Sequence, residues 1–173
     1  MHYGRILALV GVVLAIVGFL MQSASSAAAD LMPTLNEATG GQIPVGFDNT
    51  WTALYNDTAW AAVVFGLAMV GAAIVALIPP LPKPMARIYG LTAAVLGVLM
   101  LVIGVFATMG AMDDADTLEA AFNQLFQAGQ LPEAFTVDIG FGWYLLPIAG
   151  VLVAIGGVVS LINRPDEDAI SAS

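Results

Sequence analysis

The residues able to do chemistry in this chain are few and unevenly placed. Asp113, Asp114, Asp116 and Glu119 bring four carboxylates within seven positions, a set of hard oxygens of the kind that holds calcium or a similar cation. Their spacing matches no EF-hand loop. Acids gathered at the start of a helix are already favoured by the helix dipole, so no metal site is assigned to them. His2 is the only histidine and cysteine is absent, which removes bis-histidine haem ligation, a histidine zinc cluster, thiolate sites and cysteine nucleophiles from a single chain. The eight methionines are scattered and read as packing groups. The sequence thus predicts no catalytic residue, no cofactor and no enzymatic activity.

The elements that would have to position any site are membrane helices. The chain has 173 residues, 60% hydrophobic and 10% charged, with a mean hydropathy of +0.91; an average soluble domain is about 45–50% apolar and about 25% charged. A net charge of −9 leaves no basic surface to neutralise phosphates, which argues against a nucleic-acid partner. Without disulfides, the loops must hold their shape by packing.

Four runs lack Asp, Glu, Lys and Arg: Ile6 to Ala29, Thr58 to Pro82, Ile88 to Met112 and Ile139 to Asn163. Each exceeds the roughly 20 residues that cross a hydrocarbon core, and none alternates polar with apolar as a barrel strand must. The expected architecture is an all-α integral membrane protein, one four-helix bundle with spans at about 5–24, 58–78, 88–111 and 140–163. Loops at 25–57 and 112–139 lie on one face; a Pro-rich turn at 79–87 and a tail at 164–173 lie on the other. Arg5, Lys83, Arg87 and Arg164 all fall on that second face, which the positive-inside rule makes cytoplasmic, with both termini inside a plasma (inner) membrane. Ten of the thirteen acids are then outside. Trp60, Trp143 and Tyr144 near the outer ends, and Tyr3 and Tyr89 near the inner ends, fit aromatic belts. Arg5 followed by an apolar run and Ser23 to Ala29 also has the form of a secretory signal, but the run is long for one, and it is read as a retained span.

Small residues recur along each span. Gly11 and Gly18 in the first, Gly66 in the second, Gly97 and Gly104 in the third, and Gly150 and Gly157 in the fourth are expected helix-packing positions. In lipid, close backbone approach through such residues supplies the attraction that the hydrophobic effect supplies in water. Their seven-residue spacing favours left-handed crossing near about +20°. Thr92, Thr108 and Ser160, the few polar groups in the spans, are expected to bond back to their own helix carbonyls.

The outer loops carry the recognition signals. Asp116 with Glu119 three positions on resembles a capping box, predicting a separate amphipathic helix from about Thr117 to Ala128, stopped by Gly129 and followed by Pro132. Gly40-Gly41 reads as a turn and Asp48 as the N-cap of a short helix bearing Trp51, Leu54 and Tyr55. Trp51, Tyr55, Phe122 and Phe126 are the candidate partner contacts. The order of elements resembles the topology of claudins, tetraspanins and connexins, but those families carry cysteine motifs in their outer loops and this chain has none, so none of their functions is transferred.

The sequence therefore predicts a non-catalytic accessory or structural subunit of a larger membrane complex, with other membrane subunits and lipid as partners. The alternative is a homo-oligomeric pore or passive cation channel whose outer carboxylates favour cations. The Ala/Gly/Val-rich, Lys-poor composition points to a prokaryotic source.

Overall fold

A computed structural model describes residues 3–78 and 83–162. His2, Pro79 to Pro82, Arg164 and the tail lie outside the described residues. The order of elements is α1 (Tyr3–Leu20), β1 (Ala24–Ser25), α2 (Met32–Ala38), α3 (Thr50–Leu77), α4 (Lys83–Gln127), β2 (Asp138–Ile139) and α5 (Phe141–Ile162). Four of the helices, α1, α3, α4 and α5, are long and apolar enough to cross a membrane. The fold is that of a helical membrane bundle.

Its interior sets glycine and alanine at the helix seams beside bulkier buried groups such as Phe19, Phe65, Met100, Trp143 and Leu146, while many large aliphatic side chains face outward. α5 packs on α1 with one face and on α4 with the other, while α3 meets α1 and α4 and barely touches α5. The glycines explain that arrangement. A Cβ on Gly11 would lie 2.7 Å from the carbonyl oxygen of Ala149, and one on Gly18 3.0 Å from that of Gly142. On α4, a Cβ on Gly97 would overlap the backbone of Ala154, and one on Gly104 would lie 2.7 Å from the nitrogen of Pro147. Gly150 and Gly157 are the matching positions on α5, facing the backbones of Leu101 and Ala94. Opposite these seams, Val10, Val13, Leu67, Ile74, Val95, Val102, Val151 and Ile155 stand exposed on the perimeter.

Pro147 lies inside α5 and has no N–H to give the carbonyl of Trp143 four residues earlier. Thr108 of α4 supplies the missing donor. Its hydroxyl lies 2.9 Å from the Trp143 oxygen and 2.8 Å from that of Gly104, with the residue buried. Thr92 and Ser160 donate to Ile88 and Gly156, each at 2.8 Å, so all three hydroxyls bond to their own helix as expected. At the opposite end of the bundle, Arg5 donates to the carbonyl of Ile78 at 2.7 Å, which satisfies an orphan acceptor at the C-terminal end of α3.

Two expected helix breaks are placed differently. α4 is one helix of 45 residues, about 68 Å at the α-helical rise, against a hydrocarbon core of about 30 Å; it must project well beyond the bilayer. The separate helix from Thr117 does not exist. An N-cap needs non-helical backbone and a freed turn of N–H groups, whereas here the preceding turn continues, and the Thr117 hydroxyl donates to Asp113 within the helix at 2.8 Å. The stop at Gly129 is real. With φ +71° there, Gln130 N–H reaches Leu125 and Gly129 N–H reaches Phe126, both at 2.9 Å, the Schellman pattern.

The short helix bearing Trp51 is instead joined to the second span. Its cap is Asn49, one residue beyond the expected Asp48, whose side-chain oxygen accepts from Thr52 N–H at 2.8 Å while its own backbone is extended. Within α3, Thr58 is non-helical, with φ −139° and ψ 76°. The Trp51 ring lies against Gly66, although fifteen residues of straight helix would separate them by about 22 Å. The Thr50–Asp57 arm therefore folds back alongside the rest of α3.

The long loops close into a cap with its own core. Ala28, Met32, Leu35, Ile43, Phe122 and Phe135 are buried together, drawing on α2, on the projecting part of α4 and on the segment before α5. The Gly40-Gly41 turn is present, both residues having positive φ; α2 itself carried no strong signal. A two-stranded antiparallel ladder pairs Ala24 with Ile139 and Ser25 with Asp138. Ser23 ties this cap to the bundle, since its carbonyl accepts from Gly140 N–H at 2.7 Å and from the Trp143 indole at 2.8 Å. Trp143 is thus a buried bridge, 5% exposed, rather than the expected headgroup ring: its indole N–H already has a partner inside the protein.

Candidate functional site

Three features of the cap end are candidates for function: an acidic cluster, an aromatic surface and a cleft between α1 and α3. The cluster follows from the unbroken α4. Asp113, Asp114 and Asp116 sit within one turn of α4, all three exposed, and the tip of the folded-back arm brings Asp57 near Asp114. Burial, then the charges of Asp57 and Asp113, raise the Asp114 carboxyl above its ordinary value of 3.8. Glu119 turns away and accepts from Val137 N–H at 3.3 Å. It satisfies a backbone donor, as a capping box would, but on the segment leading to β2. Among the described residues no three His, Asp or Glu side chains converge as metal ligands.

The four candidate partner contacts separate. Phe122 is fully buried and packs edge-on against Phe135 at 6.1 Å between ring centroids. It belongs to the cap's own core and is not a docking residue. Phe126, one helical step away, is 42% exposed. Trp51 and Tyr55 are stacked on the arm with centroids 6.5 Å apart. Trp51 also meets the edge of Phe19 at 4.9 Å, and Phe19 in turn meets Phe65 at 5.2 Å, so the aromatic surface is pinned to the bundle.

Gly66 differs from the other six glycines. It faces no neighbouring helix; a Cβ there would make ordinary contact, 3.4 Å, with the Trp51 ring. The glycine shapes one wall of a cleft of about 520 Å³ between α1 and α3, lined by Ile16, Phe19, Trp51, Gly66, Leu67 and Val70, with Asn49 at the rim. The cleft exists because α3 lacks the glycine seam that draws α1, α5 and α4 together. Sequence reasoning missed it. The one available signal was Gly66 set between bulky Phe65 and Leu67.

No protein-family model matches the chain, and no curated protein or solved structure matches it. The functional reading therefore rests on the molecule's own geometry.

Proposed function

We propose that this chain is a non-catalytic integral membrane subunit that docks through its perimeter and its cap onto a larger membrane complex. The observation that carries the reading is the apolar perimeter around a closed interior. The α1–α5 and α4–α5 seams are closed by small residues at backbone distance, as between Gly11 and Ala149. Side chains such as Phe65, Met100 and Leu146 fill the rest of the interior, and large aliphatic side chains also cover the outside. Function then lies on surfaces, where neighbouring helices and lipid are met. The exposed aromatics Trp51, Tyr55 and Phe126 give the cap end a recognition surface. In this reading the helices cross left-handedly, both termini are cytoplasmic in a prokaryotic plasma membrane, and the acidic loops face outside.

The cysteine-free sequence makes the test direct. Single cysteines are placed at the perimeter positions Leu67, Ile74, Val102 and Val151, membranes are treated with a thiol-to-amine crosslinker, and adducts are identified after mild detergent extraction. A stoichiometric adduct with one other membrane protein, from one face of the bundle, is the expected result. A ladder of this chain alone would favour the pore, whose path must then run between copies because the single bundle is closed along its axis. Monomer at all four positions would remove the docking reading.

A further inference from the structure

The cleft between α1 and α3 has a definite depth and a definite electrostatic setting. Its rim is level with the end of α1, because Thr50 N–H and the Thr50 hydroxyl both bond the carbonyl of Met21, at 2.8 and 3.1 Å. From there it runs down α3 from Val63 to Val70, about 10 Å of helix, within the apolar leaflet beneath the cap. Side chains on its open side, Val63, Leu67 and Val70, are 47–67% exposed. A cleft at that depth is bathed in acyl chains, and its lining offers them only apolar contact below Asn49.

The charge around the rim is one-sided. Residues 22–57 and 112–140, which form the cap and its approaches, hold Asp30, Glu37, Asp48, Asp57, Asp113, Asp114, Asp116, Glu119, Glu133 and Asp138 and no Lys, Arg or His. Asp48 adjoins the rim residue Asn49. Arg5 stands at the far end of the bundle, bonded to Ile78. An anionic headgroup at the rim meets carboxylates alone, whereas an ammonium-bearing headgroup meets a complementary field, weakly screened at the membrane surface.

We infer that the cleft is a lipid site selecting a zwitterionic phospholipid: one acyl chain lies against Gly66 between Phe19 and Val70, and the ammonium of the headgroup faces the cap carboxylates. Trp51 is the built-in reporter, since its ring forms the wall over Gly66. Trp60 is 68% exposed and outside the lining, so it reads the surrounding lipid.

The test reconstitutes the full chain in vesicles of equal phosphatidylcholine and phosphatidylglycerol, with dibrominated chains on one lipid or the other. Bromine quenches indole fluorescence at short range. Trp51 is read in a Trp60→Phe protein and Trp60 in a Trp51→Phe protein, Trp143 being buried in both. At Trp51 the brominated phosphatidylcholine is expected to quench about fivefold more effectively, the factor that one charge contributes near a charged interface. The preference is smaller at Trp60 and shrinks in high salt. Val70→Phe, which fills the cleft from its exposed side, abolishes the excess at Trp51; Val63→Phe does the same from the other end should the first variant misfold. Equal quenching by the two lipids at Trp51 overturns the proposal, as does the same ratio at both tryptophans. Quenching of Trp60 with none of Trp51 by either lipid would put a protein helix in the cleft and overturn it too.

Discussion

Replacing Gly104 by alanine probes the principle that holds the bundle together. The added methyl would lie 2.7 Å from the Pro147 nitrogen and 3.0 Å from both the Leu146 carbonyl carbon and the Pro147 Cα. All three are backbone atoms, which no rotamer change can move aside. Ordinary contact begins at 3.4 Å, so α4 and α5 must part locally by about 0.7 Å, at the crossing where Thr108 bridges to Trp143. Overpacking of this kind costs about 1–3 kcal/mol, against about 1 kcal/mol gained from the higher helix propensity of alanine. Gly110→Ala on the same helix separates the two effects, because a Cβ there meets nothing within 4 Å. The propensity gain is common to both, so the difference between the variants isolates the steric cost. Reversible unfolding by sodium dodecyl sulfate in mixed micelles, followed by far-ultraviolet circular dichroism, is expected to place Gly104→Ala about 1–3 kcal/mol below Gly110→Ala. Two variants agreeing within about 0.5 kcal/mol would refute the claim that backbone contact at this seam limits the approach of the helices.

Three further outcomes are expected. Thr108→Val removes the donor that the Pro147-freed carbonyl of Trp143 uses, and the buried acceptor left behind is expected to cost about 1–3 kcal/mol in the same unfolding assay. Phe122→Ala opens a hole in the cap core worth about 3–5 kcal/mol locally; amide exchange is expected to rise through residues 28–47 and 131–137 while the seams of α1, α4 and α5 stay protected. For Asp114, burial and the neighbouring Asp57 and Asp113 charges raise the folded-state pKa above 3.8, so the folded protein holds that proton more tightly than the unfolded chain. Its contribution to stability is fully present below pH 3.8 and is lost as pH rises through the raised folded value. Asp114→Asn is expected to remove this component, being more stable than the parent near neutral pH and lacking that decline, and urea or detergent titrations across pH measure it.

The bundle was legible because its signals are local. Long uncharged runs and glycine spacing are properties of consecutive residues; the structure has four helices long and apolar enough to cross a membrane where the runs lie, and Gly11, Gly18, Gly97, Gly104, Gly150 and Gly157 stand at close helix approaches. The Gly129 stop and the Gly40-Gly41 turn were legible for the same reason, since positive φ is written in residue type. Asp116 and Glu119 misled because a capping box is defined by the backbone it finds, and the helix arriving from Met112 left no N–H groups free to cap.

By itself, the sequence determines that four segments are long and apolar enough to cross a membrane, that small residues recur along them and that ten of the thirteen acids fall in the two long loops, because desolvation and steric size act on each residue wherever it is placed. Only the tertiary structure decides what those parts become. The return of the Thr50–Asp57 arm places Trp51 over Gly66, the loops meet to bury Phe122, Thr108 answers a carbonyl on another helix, and α3 stands off to leave a cleft beneath the carboxylates. Each depends on atoms far apart in the chain, whose free energy exists only once they have been brought together.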